Sequence, residues 1–100
     1  MTRQVIRYQT KPEATQRNAE LIKNVFIELA AAAPGKVHYA VLQSGDTFTH
    51  IVSYEKEGDN DALTSLPAFK AFQNGGADRR LTPPDFADAT IVGNYQMLAG

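Results

Sequence analysis

The stretch VHYAVLQSGDTFTHIVSYE, residues 37–55, decides the architecture of this chain. Residues 37–43 and 47–55 are rich in β-branched and aromatic side chains, and Ser44-Gly45-Asp46 between them is turn chemistry, so the stretch reads as a β-hairpin. Apolar residues occupy both parities of each strand: Val41 beside Leu42, and Ile51 beside Val52. A strand with one face in water would alternate apolar and polar. These strands ask for burial on both sides.

Upstream, residues 5–9 form a short β-rich run that reads as strand one, and Thr10 and Glu13 have the Thr-x-x-Glu spacing of a capping box, with Pro12 in the first turn. From residue 14 to 33, Leu21, Ile22, Val25, Phe26 and Leu29 recur at three- and four-residue steps, while Arg17, Glu20, Lys23, Asn24 and Glu28 take the remaining face. That spacing predicts a long amphipathic helix ended by Ala33-Pro34-Gly35. Downstream, residues 56–60 are a polar loop. Asp61 then caps a second helix carrying Leu63, Leu66, Phe69 and Phe72, which Gly75-Gly76 ends or kinks. Asp78-Arg79-Arg80 reads as a further turn or a loop, Thr82-Pro83-Pro84 is extended, and residues 87–97 are expected to form strand four.

The order β-α-β-β-α-β predicts an α+β, ferredoxin-like domain over residues 1–100, with a four-stranded antiparallel sheet and both helices on one face. The other face would leave Val5 or Ile6, Ile51 or Val52, and Ile91 or Val92 uncovered. A monomer tolerates an apolar patch of a few hundred Å², so a second copy packed sheet to sheet is expected, giving a homodimer.

Composition narrows the chemistry. The chain has 100 residues, 43% of them hydrophobic, and no cysteine, which removes disulfides, thiolate metal sites and cysteine nucleophiles. Ten basic and eleven acidic side chains are scattered along it, so no basic stripe is available for nucleic acid. Residues 1–4 carry no apolar signal stretch, and no apolar run approaches the length of a membrane span, so a soluble cytoplasmic protein is expected. No set of side chains is assigned to a metal.

His50 is the leading candidate for chemistry. With a two-residue turn at Gly45-Asp46 it lies opposite Val41 and shares a face with Tyr39, Phe48, Val52 and Tyr54. An imidazole in that setting could act as a general base toward an acidic phenol or enol; the plainer reading is a core histidine satisfied by a tyrosine or a backbone group. Tyr39, Val52 and Tyr54 would line the binding space in a cavity between two sheets. Arg7 could hold an anionic oxygen if the parity of Val5 faces that cavity, and Asn94 on strand four could donate a hydrogen bond. Tyr8 reads as core beneath the helices, His38 as structural, and Arg79-Arg80 as a solvated pair.

Residues 48–54, Phe-Thr-His-Ile-Val-Ser-Tyr, followed by residues 65–72, Ser-Leu-Pro-Ala-Phe-Lys-Ala-Phe, carry a family likeness. Together with the order of elements they resemble the dimeric α+β barrel superfamily that includes the antibiotic-biosynthesis monooxygenases. Leu66 is an insertion relative to that pattern. Val52 stands where many members carry Glu, Tyr54 where many carry Trp, and Ala68 where many carry His. The resemblance implies a paired-sheet dimer and cofactor-independent monooxygenation of a phenolic or polycyclic aromatic molecule, with His50 as base and Tyr39 or Asn94 as donor. The haem-degrading branch fits less well, since the chain has no Trp and its second helix no His. A non-catalytic binding or structural dimer of the same fold is the main alternative. RNA binding is disfavoured because Ser53 stands where an aromatic would be needed.

Overall fold

Register between strands, more than the propensity of any one strand, sets where they begin and end. In the computed structural model, which describes residues 1–98, β1 (Thr2–Gln9) pairs antiparallel along its whole length with β3 (Thr47–Tyr54), from Thr2 opposite Tyr54 to Gln9 opposite Thr47. β1 therefore starts three residues before the β-rich run at Val5, because β3 offers partners for Thr2, Arg3 and Gln4. β2 (Val37–Ser44) pairs with the other edge of β3, and Ser44 opposite Thr47 leaves Gly45-Asp46 as a two-residue turn, opened by Gly45 at a left-handed φ of 59°. The sheet order is β2-β3-β1-β4, the ferredoxin-like arrangement.

β4 is the largest departure from expectation. It covers Asp85–Asp88, not residues 87–97. The backbone just before it is pinned to the end of β1: Leu81 N–H donates to Gln9 O, and Thr10 bridges Arg80. The ladder on β1 then starts at Arg7 opposite Asp85 and ends where Ala89 N–H meets Arg3 O. β1 has almost no backbone left beyond that point. Residues 91–97 have β-forming side chains but find no free edge left on β1.

α1 (Thr15–Ala32) packs Leu21, Ile22 and Val25 onto the sheet and ends at Ala33, which turns left-handed at φ 47°. The expected capping box does not form. Thr10 is fully buried, its hydroxyl shared with Thr15 and directed at Asp46 O, and a 3-10 turn over Pro12–Ala14 leads into the helix. The second helical unit is broken into α2 (Asp61–Thr64), α3 (Pro67–Gln73) and α4 (Gly76–Arg79). Leu66 is forced extended by the proline that follows it, and Gly75 is left-handed at φ 78°. No helix among the described residues is long and apolar enough to cross a membrane.

The helices cover one face, where Tyr8, Phe48 and Val52 of the sheet meet Leu21, Ile22, Val25, Leu63 and Phe72. On the other face stand Arg3, Val5 and Arg7 of β1, Thr49 and Ile51 of β3, and Ala40 and Leu42 of β2. Glu28, on the face of α1 read as solvated, reaches across instead: its carboxylate accepts from Ala68 N–H at 2.9 Å, in the unsatisfied first turn of α3. Glu28→Ala is expected to cost about 1 kcal/mol in urea unfolding, the ordinary worth of a cap. A loss below about 0.3 kcal/mol would mean that water replaces it without penalty.

Candidate functional site

Cross-strand pairing places Ile6 and Val41 on either side of His50, and Tyr39 opposite Val52, all on the helix-covered face. The same register sets Tyr8 opposite Phe48, so Tyr8 shares that face with His50. The cavity thus lies within the single chain, between its sheet and its helices, and not between two sheets as expected. Its volume is about 480 Å³. Ile6, Tyr8, Tyr39, His50 and Val52 form the sheet side, and Leu63, Phe69 and Phe72 the helix side. Gln4, Asn60, Gln73, Arg80 and Phe86 also line it. His50 is only 4% exposed and lies 5.5 Å, centroid to centroid, from the Phe72 ring.

Both imidazole nitrogens are engaged. Tyr39 Oη is 2.6 Å from Nδ1, and Tyr8 Oη is 2.8 Å from Nε2. Tyr8 Oη also accepts from Asn18 Nδ2 at 3.0 Å, and Asn18 Oδ1 accepts from Arg79 Nε at 3.0 Å. Arg79 further donates to the carbonyls of Phe72 and Asn74. A guanidinium can only donate, so Arg79 fixes the Asn18 amide with its NH₂ toward Tyr8. Tyr8 Oη already accepts from Asn18 Nδ2, and donation of its own hydrogen to His50 Nε2 continues the polarity that Arg79 sets. In the tautomer that matches this polarity the imidazole hydrogen is on Nδ1 and donates to Tyr39 Oη. The Tyr39 hydroxyl hydrogen is then left to point at the cavity. The chain Arg79, Asn18, Tyr8, His50, Tyr39 runs in one direction, from a cation to an open phenol donor, and each bond polarises the next.

Electrostatics agree with this direction. Burial holds the His50 imidazolium down to about 4, so the ring is neutral near pH 7. Burial also raises the Tyr39 phenol, keeping it a donor, and raises Tyr8 against the opposing pull of Asn18 and the two arginines. A neutral, poorly basic imidazole is a weak proton acceptor. A phenol backed by a donor chain is a good hydrogen-bond partner for an enolate or phenolate oxygen.

The structure brings His50, Tyr39 and Val52 together on the cavity wall. Tyr54 shares their parity but pairs with Thr2 and Val37 at the end of β3 and packs against the core outside the cavity. Arg7 is exposed on the opposite face, paired with Thr49 and Asp85. Asn94 lies beyond β4, where its carboxamide oxygen accepts from Met97 N–H and Leu98 N–H and its nitrogen donates to Leu98 O. Asn18 and the two arginines were missed as site residues. Asn18 occupies the stripe of Leu21, Ile22 and Val25, and a buried amide in an apolar stripe is a readable signal.

The family model described as antibiotic biosynthesis monooxygenase matches residues 1–75. No curated protein matches the chain. Among solved structures, a protein of Nitrosomonas europaea provisionally described as an antibiotic biosynthesis monooxygenase is similar at a TM-score of 0.74 and 16% identity, over 91% of this chain and 89% of that one. A conserved protein of Methanosarcina mazei is similar at a TM-score of 0.72 and 22% identity, over 88% and 89% of the two chains. Rv0793 of Mycobacterium tuberculosis is similar at 0.74 and 12%, over 93% and 96%. At these identities the structural likenesses speak for the fold alone.

Proposed function

The chain belongs to the antibiotic biosynthesis monooxygenase family, and we propose that it oxygenates a flat phenolic or polycyclic aromatic molecule without a bound cofactor. The observation that carries this reading is the donor chain ending at the Tyr39 hydroxyl on an aromatic cavity of about 480 Å³. Such a cavity has the size of an ordinary small-molecule site. An anthrone-like substrate gives a proton to water and enters as its enolate, with the oxygen held by Tyr39 O–H. The electron-rich carbon reduces dioxygen and forms the C–O bond. The resulting peroxide takes a proton back and loses water, leaving a carbonyl, so one oxygen atom enters the product and the other leaves as water. His50 acts through Tyr39 in this scheme and is a positioning residue.

The test is oxygen uptake with an anthrone, corrected for its spontaneous oxidation. One dioxygen consumed per quinone formed, with no hydrogen peroxide released, supports the reading. Tight binding without uptake would favour the second reading, a binding protein of the same fold, which the low basicity of His50 independently suits.

The homodimer is part of the same proposal. Val5, Ile51, Ala40 and Leu42 make an apolar centre on the face away from the helices, and Leu42 is 57% exposed in the single chain. Sedimentation at micromolar concentration is expected to show a dimer that Leu42→Lys or Ile51→Lys weakens. A well-folded monomer under those conditions would remove this part of the reading.

A further inference from the structure

Arg80 is the one charged side chain lining the cavity among the described residues. Its guanidinium lies over the Tyr8 ring, 5.8 Å from the centroid, and its Nε is enclosed without a hydrogen-bond partner. Asn60 Oδ1, on the same lining, is likewise enclosed and unpartnered. Two such atoms on one cavity are unusual, because a buried polar atom without a partner costs the full price of its desolvation.

The backbone holds Arg80 there deliberately. Its N–H donates to Gly76 O, Thr10 bridges it, and the neighbouring Lys11 and Leu81 N–H groups are tied to Arg79 O and Gln9 O. Gly76 is buried beneath the guanidinium, and a Cβ there would sit 2.7 Å from Arg80 Nη1. A glycine is needed at that position for the guanidinium to lie where it does. Arg79, its neighbour, is already committed to Asn18 and to the carbonyls of Phe72 and Asn74. Among the described residues the Arg80 side chain has no such commitment.

We infer that the cavity selects an aromatic acid: Arg80 pairs with a carboxylate on the ligand while the ring system lies among Tyr8, Phe69 and Phe72. The inference rests on the cavity being a small-molecule site, as proposed above, but not on oxygenation. A guanidinium presents paired N–H donors that match the two oxygens of a carboxylate. Asn60 Oδ1 would accept from a hydroxyl on the same ligand.

The experiment compares naphthoate with naphthamide, equal in shape and different in charge, by calorimetric titration at low salt. The wild type is expected to favour naphthoate by about tenfold or more, the worth of one charge-assisted pair. Arg80→Met should erase that preference. Gly76→Ala keeps the charge but displaces the guanidinium, so it should narrow the preference even if Arg80→Met folds poorly. Equal binding of the two ligands by the wild type, or a preference that survives both variants, overturns the inference and leaves the small-molecule site standing. Failure of both ligands to bind removes the site and the inference with it. Absence of oxygen uptake alongside a charge preference removes the oxygenase reading alone.

Discussion

Tyr39→Phe is expected to lower the rate of anthrone oxygenation by about 10²- to 10³-fold, the usual cost of removing one donor from a developing oxyanion. KM should move little, because the aromatic ring that lines the cavity remains. His50→Leu should cost nearly as much. It removes the donor 2.6 Å behind the Tyr39 oxygen and breaks the chain that starts at Arg79. His50→Gln should recover part of the loss, since an amide can also donate toward Tyr39 and accept from Tyr8. The decisive measurement is the double variant Tyr39→Phe/His50→Leu. If His50 acts only through Tyr39, the two losses are strongly non-additive and the double variant is hardly worse than either single one. Losses that multiply would show that His50 meets the substrate independently, as a general base, and the donor-chain account would fall.

Much of the fold was legible in the residues because the hairpin and the first helix satisfy local and long-range demands together. Leu21, Ile22 and Val25 are buried as their spacing requires, and Gly45-Asp46 makes the two-residue turn that sets Val41 opposite His50. The failures have a common cause, which is pairing between elements far apart in sequence. Residues 91–97 have strand composition but find no free edge on β1, so Asn94 falls outside the sheet. The parity of His50 was readable. That its face is the helix-covered one follows from Tyr8 lying opposite Phe48, a β1–β3 register that no local pattern specifies. Tyr8 as core and His50 as cavity lining had looked like separate faces, and one register joins them. Arg79 and Arg80 look like solvated charge in the sequence because a run of two cations ordinarily is. Only the folding of residues 74–81 back onto the end of β1 turns one toward Asn18 and the other into the cavity.

The same buried network makes stability depend on acid in a specific window. His50 is about 4 in the folded chain against 6.5 when free, because burial penalises its charged form. The unfolded chain therefore binds a proton between these values that the folded chain refuses, and stability falls as pH drops through that interval. The contribution is fully present above pH 6.5 and gone near pH 4, and the interval corresponds to about 3 kcal/mol. Tyr8 and Tyr39, which share the network, keep their protons throughout this range, because burial raises both phenols above their ordinary value of 10. Acid unfolding sums over every group in the chain, so the measurement must be a difference. Urea unfolding at pH 7 and pH 4 is expected to show the wild type losing about 3 kcal/mol more than His50→Gln, whose amide does not titrate. At pH 4 the variant should approach or overtake the wild type in stability. Parallel losses in the two proteins would mean that the imidazole protonates in place, with water or a moving tyrosine relieving the charge, and the cavity would then be wetter than its aromatic lining implies.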